Sequence, residues 1–91
     1  MLVRTEDGKT IYNLDRAARI AVAADGDGAN ARYTAYLYLE FQSPSSTHTE
    51  RFALSLPKEK EAEAEKMLMK IVSCPAPVLD LAGGTATWSI R

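Results

Sequence analysis

Apolar and polar residues alternate most strictly along RYTAYLYLEF, residues 32–41. Tyr33, Ala35, Leu37, Leu39 and Phe41 fall on one side of an extended chain. Arg32, Thr34, Tyr36, Tyr38 and Glu40 fall on the other, because successive side chains of a strand point to opposite faces. The first side suits a core. The second is mixed and carries two large aromatics, so it needs an explanation of its own. As a strand over 31–42 this segment would span about 40 Å, twice the usual length, and it is expected to bend, coil or carry a bulge.

The flanking patterns are shorter. LVRT (2–5) and TIYNL (10–14) are β-prone runs separated by EDGK (6–9), and Asp-Gly between two such runs is a hairpin signal. In DRAARIAVAA (15–24) the alanines blur the period, but Ile20 and Val22 are β-branched and the DGDGAN that follows (25–30) has the composition of a hairpin loop, which favours a strand. SPSSTHT (43–49) is polar and is expected as a loop. ERFALSL (50–56) alternates again, with Phe52, Leu54 and Leu56 on one side. The four central segments read as an antiparallel meander.

Only PKEKEAEAEKMLMKIVS, residues 57–73, has helical spacing. Ala64, Met67, Leu68, Ile71 and Val72 form one apolar stripe. Pro57 suits the first helical position, and glutamates early with Lys66 and Lys70 late complement the helix dipole. CPAP (74–77) ends it. VLDL (78–81), AGGT (82–85) and ATWSI (86–90) read as a last hairpin. The expected fold is α+β: an antiparallel sheet of about five strands with helix 57–73 packed on one face, a small roll or barrel that resembles pleckstrin-homology-like domains by analogy. The expected core is Leu14, Ile20, Val22, Leu37, Leu39, Phe41, Phe52, Leu54, Leu68, Ile71 and Val72.

Composition narrows the function classes. The chain has 91 residues, enough for one domain, 1–91, with one modest core. Apolar content of 46% and a net charge of −1 exclude a disordered chain. Residues 1–56 hold six Lys/Arg against seven Asp/Glu, and residues 57–91 five of each, so no basic stripe marks a phosphate-binding surface. A patch assembled in space from Arg4, Arg16, Arg19 and Arg32 stays open. Cys74 is the sole cysteine, so no internal disulfide holds the fold. The start, MLVRTEDGK, lacks the apolar run of a signal peptide, and no segment is long and apolar enough for a membrane span. Cytoplasm without membrane association is the expectation.

Candidate chemistry is sparse. His48, the sole histidine, has no Cys or His partner for a metal set. DGDG (25–28) invites comparison with a calcium loop, but counting from Asp25 the fifth, sixth and twelfth positions are Ala29, Asn30 and Tyr36, where that loop wants an oxygen ligand, glycine and glutamate. AGGT lacks the Lys-Ser/Thr of a phosphate loop and precedes a strand rather than a helix. Cys74 sits at a helix C-terminus, where the dipole disfavours a thiolate. No catalytic residue, cofactor site or metal site is expected. That favours a non-catalytic role without deciding it, since active sites assemble from distant residues.

The side of the strand bearing Tyr36 and Tyr38 is the informative feature. Three explanations stay open: residues 78–90 cover it, with Trp88 reaching across; a second copy or another protein covers it; or the tyrosines decorate a wet sheet. The interface residues this implies are Tyr36, Tyr38 and Trp88. The expected role is an interaction module that self-associates through its sheet. The alternative is a small domain for nucleic acid or a metabolite, with the tyrosines as stacking platforms.

The opening VRTEDGKTIYNLDRAARI resembles the start of small uncharacterised bacterial and phage proteins. The resemblance lies in Arg4-Thr5, Asp7-Gly8, Ile11, Asn13-Leu14-Asp15 and Ile20, then in the later order of strands, an E/A/K-rich helix and a VLDL-like tail. It implies a bacterial sheet-plus-helix domain and carries over no functional residue. The extra YN and the long alanine run depart from that pattern.

Overall fold

The computed structural model describes residues 1–75 and 77–82. In chain order these are strands β1 (Leu2–Arg4), β2 (Ile11–Asn13), β3 (Arg19–Asp25), β4 (Arg32–Ser43) and β5 (Ser46–Ala53), helix α1 (Glu61–Ser73) and strand β6 (Val78–Asp80). The fold is α+β, as the pattern implies, but the strands do not share one sheet. They form two three-stranded sheets, ordered β2-β1-β6 and β3-β4-β5, and no barrel closes among the described residues. The expectation of a single five-stranded roll is thereby corrected. The reason is β6: it pairs parallel to β1, Val3 opposite Leu79, so the first hairpin builds a sheet with the strand that follows the helix and not with the meander.

The Asp-Gly hairpin forms as expected. Gly8 takes a positive φ of 75°, a conformation that side chains disfavour. Asp7 accepts bonds from the Thr5 hydroxyl at 2.5 Å and the Lys9 amide at 2.9 Å, an Asx turn. The next segment departs from the expected strand 15–24. Asn13 accepts a bond from the Asp15 amide at 3.0 Å, and Leu14–Arg16 coil into a short 3-10 turn before β3 begins at Arg19. Here a capping side chain outweighs weak alanine-rich strand propensity.

β3, β4 and β5 make the expected antiparallel meander. The loop expected over 43–49 is only Pro44-Ser45, and β5 runs over 46–53 instead of 50–56. The Ser43 hydroxyl closes this turn by donating to the Ser46 carbonyl at 3.1 Å and accepting from its amide at 3.2 Å. Thr47 and Thr49 are good strand residues, so hydroxyl content misled and the pairing extends. The twelve-residue β4 is divided between partners: it pairs with β3 over 32–38 and with β5 over 36–43. Its partner carries the irregularity. After Ala53 the chain takes five steps to reach Lys58, where β4 takes three from Tyr36 to Tyr33, and then re-pairs through two Tyr33–Lys58 backbone bonds of 2.8 Å. That bridge holds Lys58 extended. α1 therefore starts at Glu61, not at Pro57, behind an extended Lys60.

Glu6 fastens this detour to the first sheet. Its amide donates to the Leu54 carbonyl at 2.9 Å, and its carboxylate accepts the Leu56 amide and the Lys58 ammonium, both at 2.8 Å. The core lies between the two sheets and the helix. Val3, Ala35, Leu37, Leu54, Met67, Ile71, Leu79 and Leu81 form one buried cluster, with Leu14, Ile20 and Leu39 packed against it. The expected core is right for Leu37, Leu54 and Ile71. Phe41 and Val72 are not in it, at 40% and 63% exposure, and Val22, Phe52 and Leu68 are half-buried. Phe41 lies where β4 has passed the end of β3, and among the described strands it pairs with β5 alone. On α1 the buried positions are Ala64, Met67 and Ile71. Leu68 and Val72 follow Met67 and Ile71 by one residue, about 100° round the helix, and turn off the contact line.

Candidate interaction surface

The register that buries Ala35 and Leu37 puts Tyr36 and Tyr38 on the opposite side of β4, where both are half-buried. Three strands contribute to that side. Arg19, Tyr38 and Arg51 lie in one row across the sheet, Ala21, Tyr36 and Ala53 in the next, and Asp25 faces Arg32 at the end of β3. The alanines beside Tyr36 leave its ring open to a long neighbour. Arg51 uses that room: its guanidinium lies 4.2 Å from the Tyr36 ring centroid and its Nη2 donates to Asp25 Oδ1 at 2.6 Å. The Tyr36 hydroxyl donates to Asp25 Oδ2, also at 2.6 Å. Arg19 sits over Tyr38 at 4.3 Å, and the two tyrosines meet edge to face at 6.3 Å. These are favourable cation–π and aromatic contacts. The alanine run in β3 thus has a steric role: its small side chains leave room beside the Tyr36 ring.

The bond from the Tyr36 hydroxyl, and after it the one from Arg51, hold the Asp25 carboxyl below the usual carboxylate range. Burial, then the bond it donates to Asp25, raises the Tyr36 phenol. A carboxyl depressed in the folded state stabilises the fold above its unfolded pKa of about 3.9 and loses that contribution as pH falls through the folded value. Thermal melts of wild type and Asp25→Asn should therefore differ by a constant amount near neutral pH and converge below the ordinary aspartate range. A gap that stays unchanged into strong acid would show that the Asp25 contacts do not form.

Beside the ladder is an open groove of about 420 Å³ lined by Ala18, Arg19, Tyr38, Glu40, Thr49 and Arg51. It exists because β3 stops at the level of Tyr38 while β4 and β5 continue, so Glu40 has Thr49 on one flank and, among the described residues, no strand on the other. Neither Arg19 nor Glu40 makes an ion pair among the described residues.

Of the segment 78–90 expected to cover this side, the described part does not reach it: Val78, Leu79 and Leu81 are buried, and Leu79 and Leu81 join Leu37 in the core, across β4 from the tyrosines. Trp88 and the expected strand 86–90 lie outside the described residues.

No family model, curated protein or solved structure matches this chain. The residues themselves therefore carry the functional reading.

The other sequence candidates are dispersed. His48 is on β5, not in a loop; its ring stacks on Phe41 at 5.4 Å, and its Nε2 is 3.7 Å from Glu50. Cys74 is half-buried at the end of α1, against the core. In DGDG, Gly26 and Gly28 serve the turn with positive φ, and the Asp25 carboxylate is occupied by Tyr36 and Arg51. No His/Cys/Asp/Glu group suited to a metal ion occurs among the described residues. None of their helices is long and apolar enough to cross a membrane. Alternation along one strand put Tyr36, Tyr38 and Glu40 on this side; Asp25 and Arg51 were missed, because only the strand register brings them alongside.

Proposed function

We propose that this chain is a non-catalytic interaction module that associates with a second copy of itself through the Arg–Tyr side of the β3-β4-β5 sheet, in a cytoplasmic setting. The observation that carries this reading is the ladder itself. Tyrosine and arginine are the residues enriched in interface centres. Here they are held in place before any partner arrives, by ring stacking and by Asp25. Prior ordering lowers the entropy cost of docking. Sedimentation equilibrium at micromolar concentration should report a dimer. A monomer throughout, at neutral pH and moderate salt, ends the proposal.

A second reading, single-stranded nucleic acid or a small metabolite laid over the tyrosines, draws support from Arg19, Arg32 and Arg51 on one face. It is weakened by Asp25 and Glu40 on that face, and because guanidinium groups already lie over the rings where a base would stack. Retention of a single-stranded oligonucleotide at low salt, lost as salt rises, would favour it.

A further inference from the structure

The groove beside Tyr38 holds two opposite charges, Arg19 and Glu40, that make no ion pair among the described residues. Arg51 is committed: it bonds Asp25 at 2.6 Å. Arg19 is not; its guanidinium rests on the Tyr38 ring. Glu40 is exposed one row further along β4. We propose that two copies dock face to face about a two-fold axis that lies in the interface plane and runs between Arg19 and Glu40, so that each copy's Glu40 pairs with the other's Arg19. The inference rests on the self-association reading above and adds the residues that set its geometry.

In a two-fold interface the same patch meets itself, so a residue that contacts a second residue across the axis is matched by the reciprocal contact. A patch of one sign would repel itself. A patch with one uncommitted cation and one uncommitted anion is complementary to its own copy in one arrangement, with each over the other. Thr49 lies opposite Glu40, and beyond them the same side of the β4–β5 ribbon continues as Gln42 and Thr47. These hydrogen-bonding side chains suit the polar rim of an interface around the tyrosines. Among the described residues the ribbon past Tyr38 has no third strand, and a two-stranded ribbon gains from being covered.

The test is a charge reversal followed by sedimentation equilibrium, on Arg19→Glu, Glu40→Arg and the double variant. Both side chains are exposed, and circular dichroism melts establish that each variant folds. Each single reversal acts twice by symmetry and places like charges together, so dimer affinity should fall by about tenfold or more. The double variant re-creates both pairs with their signs exchanged and should return to within about threefold of wild type. If wild type is a dimer and the single variants associate equally well, or the double variant is no tighter than the singles, the pairing is wrong while self-association stands. If wild type is a monomer, the underlying reading fails and the pairing with it.

Discussion

Leu37→Ala should lower the free energy of unfolding by about 3 kcal/mol, the range for truncating a buried leucine that leaves a cavity. Tyr38→Ala, one residue on, should cost about 1 kcal/mol, as expected for a half-buried side chain. Leu37 is 1% exposed, lies between Ile20 and Phe52 on the neighbouring strands, and belongs to the cluster with Leu54, Met67 and Ile71. Tyr38 faces away from that cluster, with Arg19 over one side of its ring. A domain of this size is stable by about 5–15 kcal/mol, so the first change removes a large fraction and the second a small one. Urea unfolding at constant slope measures both. Equal losses would mean that both sides of β4 are equally engaged in the core, contrary to the register.

Ser55→Ala should cost about 2 kcal/mol although it removes one oxygen atom. Ala35 is fully buried, and its amide donates to Ser55 Oγ at 2.9 Å. Regular pairing would supply a backbone carbonyl there, but the chain has begun its detour: the Leu54 and Ser55 amides both point at the Ala35 carbonyl, at 2.8 and 3.3 Å. The hydroxyl stands in for the absent carbonyl and also donates to the Leu56 carbonyl at 3.1 Å. Without it a buried N–H has no acceptor, a penalty of about 1–3 kcal/mol. The Ala35 amide should then exchange with solvent faster than its β4 neighbours. Wild-type stability and exchange in Ser55→Ala would show that water replaces the hydroxyl.

Much of the fold is written in local pattern. Strict alternation over 32–41 defines β4 and its buried side. Asp7-Gly8 defines the first hairpin, because few residue pairs favour that turn. Ala64, Met67 and Ile71 define the helix face. What local pattern misses are outcomes of pairing at a distance. The partner of β1 is β6, seventy-odd residues away, and three-residue strands carry too little pattern to name a partner. The helix start moved from Pro57 to Glu61 because Tyr33 claims the Lys58 backbone. Small core residues such as Val3 and Ala35 were passed over in favour of Phe41 and Val72, since side-chain size says nothing about whether an element has neighbours on that flank.

The candidate surface divides in the same way. Tyr36 and Tyr38 are visible in ten residues of sequence. Arg19 and Arg51 were visible only as scattered charges, and Asp25 only as a turn residue. They become a ladder when β3 and β5 are set in register on β4. The alanines of β3, which looked like a weak strand, are what lets Arg51 cross the Tyr36 ring.

β4 has a core side and, on the reading proposed, a docking side. Two-dimensional NMR over a concentration series tests it most directly. Moving from low micromolar to high micromolar protein, the ring signals of Tyr36 and Tyr38 and the side-chain Nε–H signals of Arg19 and Arg51 should shift together along one binding curve, while the methyl signals of Val3, Leu37 and Ile71 stay still. Shifts confined to the exposed helix positions Met69 and Val72, or none at any concentration, would contradict it.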